Sequence, residues 1–159
     1  MLRPRIIPAL LLNNGGLVKT KNFIKPKYVG DPINAVRIFN EKEVDELIVL
    51  DVGKSKDHLE PDYELIEEFA GECFMPLTYG GGVKNIEQAA RIFRLGVEKI
   101  CLKSLGFDNI ETIKSMGLKL VGLDLVWHLK FVRLLSRICL VVQQEPHLYI
   151  HCLGDLFGF

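Results

Sequence analysis

The sequence has no surplus of either charge: 20 Lys and Arg offset 20 Asp and Glu, giving a formal net charge of zero over 159 residues. No overall field draws the chain to nucleic acid or to an acidic membrane surface, so any anion site must be local. Cysteine chemistry is equally sparse. Cys73, Cys101, Cys139 and Cys152 form no C-x-x-C pair, and each lies in an apolar stretch, the setting of a small buried hydrophobe. That pattern argues against a zinc site or a disulfide framework, and nothing else calls for a metal or an organic cofactor. Long apolar runs are missing as well. The segment from Phe131 to Gln144, interrupted by Arg133 and Arg137, is shorter than the about 20 residues a membrane helix needs. A helix packed in a core or interface is expected there. Ile6 to Leu12 is too short for a cleaved leader and is broken by Pro8, so it reads as a first strand in a cytoplasmic protein.

What is present is enough for one folded core: 48% of residues are hydrophobic and 25% charged, within the range of globular domains of this size. Apolar β-branched runs alternate with amphipathic stretches, the pattern of parallel strands joined by helical crossovers. Strands are expected over Arg5–Leu12, Glu46–Val52, Phe74–Tyr79 and Lys99–Leu102, with a fifth opening at Lys119. Asn13-Asn14-Gly15-Gly16 turns the chain into a long lysine-rich loop reaching Gly30. Asp31-Pro32 caps the first helix, Pro61–Glu72 and Asn85–Leu95 form two more, and Gly96 stops the third. Another helix is expected over Asp108–Ser115. The fold class is therefore α/β, with four to five βα units of a (βα)8 barrel. From about Leu125 the rhythm stops, and residues 125–159 read as an atypical tail.

Four groups of residues can carry chemistry. Tyr79-Gly80-Gly81-Gly82, after a strand and before a helix, allows main-chain N–H groups to approach a phosphate, and phosphate is favoured over a plain turn. Lys103 and Ser104 end the next strand and can add a cation and a hydroxyl. Asp51 and Asp124 close the second and fifth strands, where barrels of this class place their reacting groups; an N-cap or a loop ion pair is an equal alternative for each. Lys19, in the loop after the first strand, can neutralise an anion, although a single loop lysine is more often merely solvated. Arg5, Glu46 and Lys99 open three strands at the opposite rim. A structural salt-bridge cluster is the simplest reading of those three.

The segments R-I-I-P-A-L-L-L, G-x-V-K-T, G-D-P-I-N-A, D-E-L-I-V-L-D, T-Y-G-G-G-V and V-E-K-I-C-L-K-S, in this order, resemble the cyclase subunit of imidazole glycerol phosphate synthase. The resemblance runs from Arg3 to Ser104, more loosely to Asp124, and covers about half of a barrel that typically needs about 250 residues. It implies an enzyme of histidine biosynthesis, a lyase, that takes ammonia from a glutaminase partner and uses it to cleave and cyclise a phosphorylated ribulosyl aminoimidazole carboxamide nucleotide. By resemblance Gly81, Gly82 and Ser104 belong to a phosphate site, Lys19 matches the loop lysine that contacts substrate, Asp51 matches the strand-end acid, and Asp124 is an acid–base group. Arg5, Glu46 and Lys99 match three residues of the family's ammonia entrance, which turns their reading from salt-bridge cluster to gate.

The chain departs from the family pattern in three places. Leu11 stands where the family has a catalytic aspartate, and a leucine exchanges no proton. Asp124 aligns only if about six residues are missing before it. Lys103 replaces an asparagine. The L-L-L and N-N-G-G form of the first strand resembles a branch of the family that supports sugar amidation for surface polysaccharide, which gives a second reading; an inactive phosphate-binding half-barrel is a third. The expected domains are 1–124, the N-terminal half of a barrel, and 125–159, an unmatched tail produced by a frameshift or truncation. Half a barrel exposes two strand edges and an apolar interior, so either self-association of half-barrels into an eight-stranded barrel or a soft, partly ordered chain is expected.

Overall fold

The computed structural model describes residues 5–21, 24–57, 59–102, 139–143 and 150–151. Strands β1 (Ala9–Asn13), β4 (Leu47–Asp51), β5 (Leu77–Gly80) and β6 (Lys99–Leu102) form a continuous parallel ladder. Helices α1 (Pro32–Glu41), α3 (Tyr63–Glu72) and α4 (Ile86–Arg94) connect them. Side chains alternate along each strand. Leu10, Leu12, Leu47, Val49, Leu77, Tyr79, Ile100 and Leu102 face one way and join Ile33, Val36, Ile66, Phe69 and Ile92 of the helices in a single core. Leu11, Ile48, Thr78, Lys99 and Cys101 face the other way and are also buried. A parallel strand covered on both faces explains the unbroken apolar runs L-L-L and L-I-V-L.

Helices α1, α3 and α4 each start at a side-chain cap. Asp31 accepts the Asn34 N–H at 2.7 Å with Pro32 in the first helical position, and Asp62 accepts from Leu65 at 3.3 Å. Asn85 accepts from Gln88 N–H at 2.8 Å, and the Gln88 side-chain amide oxygen accepts the Lys84 N–H at 2.8 Å, a relative of the capping box whose return bond reaches the residue before the cap. Gly96, at φ +104°, ends α4 in a backbone conformation that costs glycine little. Across the helical layer, Arg37 grips the Glu72 carboxylate with two hydrogen bonds of 3.1 and 2.8 Å.

Several expectations are corrected. The lysine-rich loop is an antiparallel hairpin, β2 (Gly16–Lys21) and β3 (Ile24–Gly30). It is entered through Asn14 and Gly15, both at positive φ (51° and 74°), as a two-residue type I′ turn requires. A short helix, α2 (Val52–Lys56), was not foreseen. In place of a helix over 131–144, residues 139–143 form β7 (Cys139–Gln143), which pairs antiparallel with β6 and with β8 (Ile150–His151). The strand order β3-β2-β1-β4-β5-β6-β7-β8 thus flanks the parallel ladder on both sides; the edges expected to be bare are covered along β6 by β7 and, on β1, only at Leu12 and Asn13, while Leu11, Ile48, Thr78 and Cys101 of the inner face are buried rather than exposed. Cys101 is disulfide-bonded, contrary to the expectation of four separate thiols. The expected helix 108–115 and fifth strand lie outside the described residues. Among the described residues no helix is long and apolar enough to cross a membrane.

The Phe69 ring is fully buried at the centre of the core, so Phe69→Ala is expected to lower stability by about 3–5 kcal/mol in urea unfolding. Tyr79 offers a contrast: its buried hydroxyl makes no well-formed hydrogen bond among the described residues, its one polar contact being a weak one to the Asp62 main chain, and a poorly satisfied buried group carries a desolvation cost. Tyr79→Phe is expected to unfold at the same or a higher urea concentration than the wild type.

Candidate functional site

The two ends of the parallel ladder carry different chemistry. At the N-terminal rim, Lys99 Nζ donates to Glu46 Oε1 at 2.6 Å, and the Arg5 guanidinium donates to the same oxygen. Glu46 and Lys99 are 4% and 6% exposed, so this is a buried carboxylate shared by two cations, one of them, Arg5, half open to solvent. Burial alone would raise the Glu46 pKa; hydrogen bonds from Lys99 and then Arg5 outweigh it and hold the carboxyl below its usual value of 4.5. The three residues singled out in the sequence are therefore brought together, joining the start of β1 to β4 and β6.

At the C-terminal rim, Asp51 ends β4 and caps α2, its Oδ1 accepting the Lys54 N–H at 2.9 Å. It is 2% exposed. Burial pushes its pKa above the usual carboxylate value, the Lys54 N–H opposing the rise only in part. The glycine loop lies directly against it. A β-carbon on Gly81 (φ +135°) would sit 2.5 Å from the Asp51 carbonyl oxygen, and one on Gly82 (φ +71°) would sit 2.5 Å from that of Leu59. Neither position tolerates a side chain, so the loop is fixed by contact rather than being a loose turn. At the adjoining end of α4, the Asn85 and Gln88 side chains already occupy the Gln88 and Lys84 N–H groups.

Asp51, Gly81 and Gly82 therefore form one group. Lys19 stands exposed on β2, with no hydrogen bond or ion pair to that group among the described residues. Leu11 is buried on the inner face, in register with Leu50. Lys103, Ser104 and Asp124 lie outside the described residues. Sequence reasoning missed Asn13, whose Oδ1 would be 2.6 Å from a β-carbon on Gly53, against which Asp51 also packs. The signal was the Asn-Asn-Gly-Gly run at the end of a strand. A shallow groove of about 380 Å³ opens beside Lys54, Asp62, Tyr63 and Arg91. The Arg91 guanidinium lies 3.7 Å from the centre of the Tyr63 ring, and among the described residues none of the expected site residues lines this groove.

A parallel ladder with helical crossovers, charges at its N-terminal rim and a glycine loop against a buried carboxylate at its C-terminal rim defines an α/β protein of the (βα)8-barrel class. A family model described as histidine biosynthesis protein matches residues 5–131, and the chain belongs to that family. It is 56% identical over 135 residues to the putative imidazole glycerol phosphate synthase subunit HisF of Leptospira interrogans, covering 85% of this chain and 53% of that protein. A similar protein is the putative imidazole glycerol phosphate synthase subunit hisF2 of Pseudomonas aeruginosa, 58% identical over 117 residues, or 74% of this chain and 47% of the relative. The imidazole glycerol phosphate synthase subunit HisF of Methanococcus vannielii is 39% identical over 115 residues, 72% of this chain and 42% of the relative. The chain spans about half the length of the curated relatives it matches.

Glu46→Gln removes the carboxylate charge that the buried Lys99 ammonium and Arg5 share, at an expected cost of about 3 kcal/mol at neutral pH. Because the folded-state pKa of Glu46 is depressed, its contribution is complete above the usual carboxylate range and is lost as pH falls through it. The gap between variant and wild type in chemical unfolding should close below about pH 4.5. For Asp51 the sign is opposite: its folded pKa is raised, so its charge costs stability as pH climbs past 3.8. Asp51→Asn keeps a capping oxygen and is expected to melt at or above the wild type at neutral pH, with the difference vanishing in acid.

Proposed function

We propose that this chain is the N-terminal part of a cyclase subunit of the imidazole glycerol phosphate synthase type, one that uses ammonia from a glutaminase partner on a phosphorylated ribulosyl aminoimidazole carboxamide. The observation that carries the reading is the convergence of Arg5 and Lys99 on Glu46. A buried ion cluster is a poor source of stability, since apolar replacements do as well or better. Its position at the rim away from Asp51 and the glycine loop suits an entrance: ammonia passes as a neutral molecule between the charged groups, then along the inner face carrying Ile48, Thr78 and Cys101. In this proposal Gly81 and Gly82, with Lys103 and Ser104, take a phosphate through main-chain N–H groups and the hydroxyl. Lys19 neutralises the substrate, and Asp51, with its raised pKa, is a proton-exchanging group beside the phosphate. Asp124 is the remaining acid–base residue, residues 1–124 are the barrel half and 125–159 its tail.

A second reading, a synthase-like partner of a glutaminase in sugar amidation, is favoured by one observation. Leu11 is buried on the inner face, and no proton can be exchanged at that position of the first strand.

The test is turnover of the ribulosyl substrate with free ammonia and with a glutaminase partner, reading release of imidazole glycerol phosphate. The expected outcome is ammonia-dependent turnover that Asp51→Asn reduces by about 10²-fold, with Lys99→Met impairing the glutamine-driven reaction more than the ammonia-driven one. Binding of the substrate without turnover from either ammonia source would overturn the cyclase reading in favour of the sugar-amidation branch or a chemically inert half-barrel.

A further inference from the structure

The β2–β3 hairpin concentrates positive charge in a chain whose charges balance only as a whole. Residues 16–30 hold Lys19, Lys21, Lys25 and Lys27 and no Asp or Glu. Register sharpens the asymmetry: Lys19 and Lys27 are direct cross-strand partners, so their side chains leave the same face of the ribbon. Both are exposed, and neither takes part in an ion pair among the described residues. Like charges set opposite each other in an antiparallel pair are destabilising, and the hairpin carries no carboxylate to offset them. An anion bridging the two ammoniums removes that repulsion. The hairpin is also tied to the C-terminal rim of the ladder. Leu17 pairs with Leu12, and Leu12 with Asp51, so the hairpin is anchored level with Asp51, and Lys19 lies two residues back from that level along the antiparallel strand.

We propose that Lys19 and Lys27 form a two-ammonium clamp for a phosphoryl group on the exposed face of the hairpin, making Lys27 an anion-binding residue of this chain. The proposal deepens the reading of the chain as a binder of a phosphorylated small molecule and rests on it. Inorganic pyrophosphate is the probe, titrated calorimetrically into the full chain at low ionic strength, where exposed charges are least screened. Lys27→Glu places an opposite charge across from Lys19. It is expected to melt at or above the wild type without ligand while its pyrophosphate Kd rises about tenfold, equivalent to one charged contact. Lys27→Met is expected to weaken binding at least about fivefold on the same reasoning. Lys42→Glu makes the same charge change at the far end of α1 and is expected to leave the Kd within about twofold.

Pyrophosphate binding by Lys27→Glu and Lys27→Met at wild-type strength would overturn the clamp, as would an equal loss in Lys42→Glu. In either case, if the phosphorylated ribulosyl compound still binds, the functional reading stands without the clamp. Failure of the wild type to bind either compound would remove both.

Discussion

The Glu46 carboxylate is the constraint on which the arrangement turns. One oxygen receives Lys99 from β6 and Arg5 from the segment before β1, so three points far apart in the chain meet at a single buried atom. Taking a carboxylate and an ammonium out of water is costly, and only close, well-aligned hydrogen bonds recover the cost. That requirement fixes the register of β4 against β5 and β6, because a shift of one residue would turn Glu46 or Lys99 to the helix side. It also holds the chain entering β1 against the ladder, helped by the hydrogen bond from Ile6 N–H to the Asp45 carboxylate.

The opposite rim obeys a different rule. There the strands end in main-chain contact rather than in paired charge. Gly81 rests on the Asp51 carbonyl and Gly82 on that of Leu59, both at distances no β-carbon can share. Gly80 is equally confined, since a β-carbon there would lie 2.9 Å from the side chains of Cys101 and Leu50. Asp51 is thus packed from above and capped by its own helix, and burial displaces its proton affinity upward. The same four strands present a low-pKa carboxylate among cations at one end and a high-pKa carboxylate among main-chain dipoles at the other.

Much of this was legible because it is local. Asp31-Pro32, Asn85 and Gly96 punctuate helices through contacts within four residues, and Lys99–Leu102 reads as a strand from its own side chains. Asp51 and the glycine loop were found because strand ends and triple glycines are sequence features. The packing that unites them depends on β4–β5 register, which no local pattern states. The hairpin was missed although Asn14-Gly15 announces a type I′ turn; lysines at 19, 21, 25 and 27 hid the alternation that marks a strand. Burial of the inner face and the strand at 139–143 rest on pairing between distant segments. For the same reason Arg5, Glu46 and Lys99 were recognised as rim neighbours, while their sharing of one oxygen emerged only from the fold.

The polarity of the flanking strands has a consequence for the growth of the sheet. A barrel closes when parallel strands meet at the seam, yet the ladder β1-β4-β5-β6 is bordered by antiparallel neighbours on both sides. Those neighbours act as selvedges: they saturate the outermost amides with partners of the wrong direction for ring closure. The selvedge beside β1 is short, engaging only Leu12 and Asn13. An incoming parallel strand can therefore gain a foothold along Ala9–Leu11 and peel the hairpin away from that end, whereas the β6 border, paired from Lys99 to Leu102, must be surrendered whole. Annealing with another sheet is thereby given a direction, starting at the β1 side.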